Sequence, residues 1–116
     1  MRGVATVMPE LRLCTSTTVS VALKPFNYEV HGHDVAIEAC WCGDLNRRVD
    51  VELLARKLET ASKPFNRRPL WELLGFENAT IEDLLLELSK HLGEAEGLRL
   101  CALSAKWASR SIILSF

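Results

Sequence analysis

His31 and His33 stand two apart in the stretch EVHGHDVAIEACW (29–41), where apolar residues alternate with polar ones. On a strand, that spacing points both imidazoles the same way. Such a pair can supply two of the three protein ligands that a catalytic zinc needs. Two arginine pairs, Arg47–Arg48 and Arg67–Arg68, fall in predicted loops. Guanidinium forks match phosphate oxygens, so these pairs are candidates for anion binding, with solvated loop charge as the plainer reading. Cys40 and Cys42 form C-x-C on a strand and need two further ligands from elsewhere to hold a metal. The sequence offers no second close cysteine pair, so small, partly buried thiols are expected. Thr80 and Glu82 open a helical stretch, where a hydroxyl caps the helix and a carboxylate suits its positive end. His91 falls in the last turn of that helix, where a cation suits the dipole, and is given no catalytic role.

The elements that must carry these residues follow from periodicity. From Leu11 to Leu23 the odd positions read Leu, Leu, Thr, Thr, Val, Val, Leu, a period of two rich in β-branched side chains, which predicts a long strand. The segment 24–29, with Pro25 and Asn27, is a turn. A second strand starts at His31 and places His33, Val35, Ile37, Ala39 and Trp41 on one face, pairing with the first as a hairpin. Helical spacing takes over across 49–61, with Leu54 and Leu58 at i, i+4 and Asp50 as N-cap. A loop at 62–69 and a short helical turn in LWELLGF precede the clearest helix, 79–93. That helix has Thr80 and Asp83 in capping-box spacing, a stripe of Leu84, Leu85, Leu88 and Leu92, and Gly93 as C-cap. Strands at 98–105 and 110–116 close the chain. The order ββααββ predicts an α+β domain with a four-stranded antiparallel sheet and two helices on one face. Sheet edges this long call for cover or pairing, which makes assembly of several chains into a closed barrel plausible.

The chain of 116 residues forms one domain (1–116), and 48% hydrophobic with 25% charged residues suits one packed core. A formal net charge of −1 provides no field that would draw the protein onto nucleic acid or anionic lipid. The start lacks the apolar core of a signal peptide, and no apolar run reaches membrane-spanning length. On those grounds the four cysteines (Cys14, Cys40, Cys42, Cys101) are read as reduced thiols and the location as cytoplasmic.

Three segments carry a resemblance. HGH heads the second strand, RVDVELL leads into the first long helix, and NATIEDLLLEL opens the second. In this order and spacing they resemble the 6-pyruvoyl-tetrahydropterin synthase / 6-carboxytetrahydropterin synthase family, over most of the chain from about Leu11. The resemblance implies the T-fold, with trimeric barrels often stacked as hexamers and pockets between subunits. It also implies a zinc ion held by three histidines, one from the first strand and two from HGH. A cysteine base precedes HGH in that family, an aspartate–histidine pair supports it, and a glutamate on the third strand holds the pterin ring. Carried over residue by residue, His31 and His33 match two metal ligands. Thr80, Glu82 and Asp50 match the helix starts. The first strand has no histidine for the third ligand, and Asn27 stands where the cysteine belongs. Phe65, Asn66 and Arg67 replace the aspartate–histidine loop, and Ala105 falls near the ring-holding glutamate.

Two functions follow from that pattern. One is a divergent paralogue that keeps the barrel and a pocket for a pterin-like or phosphorylated small molecule, with Thr80, Glu82 and Arg67 as binding residues, but without the lyase machinery. The other is an active zinc-dependent lyase, eliminating phosphate from dihydroneopterin triphosphate in a rearranged site. Zinc is a candidate cofactor with one of its three family ligands missing, and a homo-oligomer is expected, trimer or hexamer. General acid–base groups are commonly worth about 10²–10⁴-fold each, so losing base and partner together favours the first reading.

Overall fold

The computed structural model describes residues 9–23, 31–45 and 48–116. Strand β1 (Glu10–Leu23) and strand β2 (His31–Asp44) pair antiparallel along their whole length, Glu10 opposite Asp44 and Leu23 opposite His31. Helix α1 (Val51–Ser62) follows, with the Asp50 carboxylate accepting from the Glu52 N–H at 2.9 Å. A single 3₁₀ turn (Lys63–Phe65) leads to β3 (Arg68–Pro69) and the short helix α2 (Leu70–Leu74). Helix α3 (Ile81–Leu92), β4 (Arg99–Trp107) and β5 (Arg110–Ser115) complete the chain. The four expected strands and two expected long helices are all present. The additions are α2, where a helical turn is predicted, and β3, two residues pairing in parallel with Val21 and Ala22. The sheet order is β3-β1-β2-β4-β5.

Alternation along the strands builds the core. Val19, Val21, Val35, Ile37, Ala39 and Trp41 are buried on one face of the hairpin, beneath Leu54 and Leu58 of α1 and the Ile81, Leu84, Leu85, Leu88, Leu92 stripe of α3. Each large aliphatic so buried contributes roughly 1.5–3 kcal/mol, which is why these amphipathic helices settle on this face. At the head of α3 the Thr80 N–H and hydroxyl both donate to the Asp83 carboxylate, at 2.9 and 3.0 Å. At its other end Lys90 and His91 lie 3.0 and 3.6 Å from Glu87, all on the exposed side. Hydrogen bonding to Lys90 holds the Glu87 carboxyl below the usual carboxylate range. A depressed carboxyl contributes to stability above the ordinary range, and the contribution is lost as pH falls through the folded-state value. Lys90→Ala is therefore expected to return the Glu87 titration, followed by NMR, toward its ordinary position. An unmoved titration would remove Lys90 as the cause.

The opposite face of the sheet corrects one expectation. The cysteines are not free: Cys14 is bonded to Cys40 and Cys42 to Cys101. The cause is register, which C-x-C spacing cannot reveal. Cys14 stands directly opposite Cys40 on the hairpin. On the other side of β2, Cys40 pairs with Ala102 and Trp41 with Leu100, leaving Cys101 as the extra residue of a bulge. A bulged residue re-aims its side chain, and here it reaches Cys42.

Candidate functional site

The Arg67 N–H donates to the Ser20 carbonyl at 2.6 Å, and the Asn66 side-chain oxygen accepts from the Ser20 N–H at 2.9 Å. These two bonds fasten the loop after the 3₁₀ turn along the edge of β1, and β3 begins one residue later. Arg67 reaches this position with φ of 60°, in the left-handed region that costs a non-glycine residue about 1 kcal/mol. The consequence is a cavity of about 440 Å³ between hairpin and loop. Ser20, His33, Asp34, Arg67 and Arg68 supply its polar lining. The Ser20 hydroxyl donates to the Asp34 carboxylate across the β1–β2 pair.

Two groups of residues singled out separately in the sequence thus meet. His33, half-buried and opposite Val21, shares this cavity with Arg67 and Arg68. His31 lies two pairs further on, opposite Leu23. Thr80 and Glu82 are not in this cavity. They line a smaller one of about 210 Å³ with Leu23, Ala79, Ile81, Trp107 and Ile112. The first hollow reaches Ala22 and the second Leu23, so both lie toward the same end of β1 with no lining residue in common. Ala105, at the position of the ring-holding glutamate, is fully buried opposite Ile37 and Ile112. Asn27 and Arg47 lie outside the described residues, and Arg48 lines a different hollow with Leu11, Leu13 and Asp50. Sequence reasoning missed Ser20 and Asp34. They carry no motif, and only the hairpin register brings them to the site.

The fit of a zinc ion at His33 can be tested on these neighbours. Among the described residues the one group of three or more His, Cys, Asp or Glu placed to hold a metal is Cys14, Glu38 and Cys40, far from His33. From Cys14 to Leu23 the strand runs on the order of 30 Å, and Cys14 pairs on the sheet face opposite to the one that buries Val21 and Val35. Cys14 therefore does not complete a site at the histidines of its own chain. The two arginines among the residues lining the His33 cavity, Arg67 and Arg68, further disfavour a dication and favour an anion. The described residues do not form the three-ligand zinc site.

The architecture is a T-fold: an antiparallel hairpin pair of long strands, helices packed on one face, and a second hairpin beside the first. It matches the structure of Caenorhabditis elegans 6-pyruvoyl tetrahydropterin synthase with a TM-score of 0.75 and 13% identity, covering 97% of this chain and 99% of that one. At that identity the likeness establishes the fold, and the fold implied by HGH, RVDVELL and NATIEDLLLEL is the one observed. No protein-family model matches the chain, and no curated protein matches it in sequence. No helix among the described residues is long and apolar enough to cross a membrane.

Proposed function

We propose that this chain is a divergent relative of 6-pyruvoyl tetrahydropterin synthase. In this reading it has given up the lyase machinery and binds a small phosphorylated heterocycle in the cavity of His33, Arg67 and Arg68. The observation that supports this is that Arg67 and Arg68 line one hollow together with His33, Ser20 and Asp34. Arg67 and Arg68 would take phosphate oxygens through charge-assisted hydrogen bonds. Asp34 and Ser20 would meet the polar edge of a ring, and Thr80 and Glu82, which line a separate hollow toward the same end of β1, would bind a further part of the molecule. The standard reaction needs a Lewis acid and a positioned base. Asn27, Asn66 and Arg67 stand where the resemblance puts base and base partners, and none of them accepts a proton readily.

Homo-oligomeric assembly belongs to the same reading. Among the described residues, β1 has a neighbour on its outer side only at Val21 and Ala22, and β5 has none. Ile113 on β5 is 64% exposed. Open edges with exposed apolar residues favour strand pairing between copies, closing a barrel as expected for this fold. The two disulfides remove the reduced-thiol ground for cytoplasmic placement and weigh against it, because lasting disulfides are rare in that compartment.

Calorimetric titration with inorganic triphosphate and with dihydroneopterin triphosphate tests the reading. Binding of the pterin without turnover, weakened about tenfold or more in Arg68→Ala, is expected, since a charge-assisted bond is worth about 1.5–3 kcal/mol. Arg67→Gly should separate two effects. It relieves the left-handed backbone and raises stability by up to about 1 kcal/mol while weakening binding. Turnover that stops with chelator would instead establish the zinc-dependent lyase. Absence of binding to both compounds would remove the anion pocket.

A further inference from the structure

We propose that opening the Cys14–Cys40 disulfide creates a binding site for a thiophilic divalent cation such as Zn²⁺, with Cys14, Cys40 and Glu38 as its ligands. This site lies on the sheet face away from the helices and is independent of the His33 cavity.

The geometry carries the proposal. One ligand atom from each of Cys14, Glu38 and Cys40 falls within 4.8 Å of the other two. The Cys40 sulfur already lies 3.7 Å from a Glu38 carboxylate oxygen, because the two are i, i+2 on β2. Tetrahedral zinc with bonds of about 2.3 Å to sulfur sets its ligands about 3.8 Å apart, so small side-chain rotations suffice. Cys40 is buried (2%), while Cys14 and Glu38 are exposed, so the site has one fixed wall and an open approach. Three protein ligands then leave a fourth position for water. Arg12 and Arg99, both opposite Cys42 on the neighbouring strands, offset the negative charge of two thiolates and a carboxylate. The second disulfide, Cys42–Cys101, ties β2 to β4 next to the site and stays closed, holding β2 in place.

The chemistry balances with a dithiol as reductant. The Cys14–Cys40 bond takes up two electrons and two protons, and the dithiol closes to its own disulfide. The cation then displaces both thiol protons, which go to solvent, and binds two thiolates and the carboxylate. A small-molecule disulfide restores the bond by the reverse exchange, taking up the two electrons and two protons as its own two thiols. The cation thus binds only the reduced protein and protects the thiols from reoxidation while it is held.

Anaerobic titration with Co²⁺ tests this, using full-length protein reduced just enough to open one disulfide. A thiolate-to-cobalt charge-transfer band and a raised Tm are expected in the reduced protein, and neither in the oxidised one. Cys14→Ser should remove the charge-transfer band or weaken cobalt affinity by at least about 10–100-fold. Glu38→Gln, an exposed and mild change, should weaken affinity about tenfold or more. His33→Ala should leave both readouts unchanged. If Cys14→Ser fails to fold, Glu38→Gln alone decides. No band and no Tm shift in reduced protein would overturn the proposal. So would cobalt binding that survives Glu38→Gln and is lost in His33→Ala.

Discussion

Trp41→Ala is expected to lower the unfolding free energy by about 3–5 kcal/mol, read as a shifted urea midpoint at unchanged slope. Trp41 is fully buried on the helix-facing side of β2. Its indole N–H donates to the Gly93 carbonyl at the end of α3, at 3.1 Å. The side chain therefore fills the core and ties the sheet to the last turn of the helix. Two contributions can be separated. Trp41→Phe keeps most of the apolar volume and removes the hydrogen bond, which is worth about 0.5–1.5 kcal/mol. The lower end applies, because the Gly93 carbonyl still accepts from the Leu100 N–H at 3.2 Å and is not left unpaired. The alanine variant should thus lose several times more than the phenylalanine variant. Equal losses would mean that the hydrogen bond, and not packing, is what Trp41 contributes. Set against a total of about 5–15 kcal/mol for a domain, the alanine loss alone brings the protein close to its limit.

Much of this architecture is legible in the sequence because hydrophobic period and burial have one cause. The odd positions of β2 from Val35 to Trp41 are all buried on the helix-facing side, while the even ones are exposed except Cys40, and the α3 leucines that share a helical stripe are those with no exposure. The caps Asp50 and Asp83 are readable for a similar reason, since their partners lie within three residues. What the sequence leaves open is whatever depends on pairing across strands. Ser20 with Asp34, and Cys14 with Cys40, are set by the hairpin register alone. Cys101 reaches Cys42 because of a single extra residue in β4, which no spacing rule announces. β3 illustrates the same limit. Two residues following a loop carry no period, and Arg68–Pro69 becomes strand only because the loop is fastened to Ser20. The candidate site is accordingly half visible. His33, Arg67 and Arg68 can be named from their chemistry, but that they line one cavity is a fact of register.

Reduction is expected to act on the two disulfides in sequence and to cost stability mostly at the second step. Cys14 is exposed, so the Cys14–Cys40 bond is open to a dithiol. Cys42 and Cys101 are 4% and 8% exposed, so their bond should resist until the strands separate. The sequence separations are 26 and 59 residues, and the closed segments do not overlap. Loop-closure entropy then gives about 3–4 kcal/mol for the first and about 4 kcal/mol for the second, roughly additive. The first value should be the more reduced in practice. Its loop is the hairpin itself, which already favours proximity of the two cysteines in the unfolded chain and so leaves less entropy for the bond to remove. Alkylation with mass spectrometry along a dithiol titration should find Cys14 and Cys40 labelled while Cys42 and Cys101 are still protected. Melting at that stage should show a modest drop in Tm, and full reduction a further fall of roughly 10 °C or more. Simultaneous labelling of all four would mean that the bonds open only with global unfolding. In that case the hairpin does not stand without its cross-link.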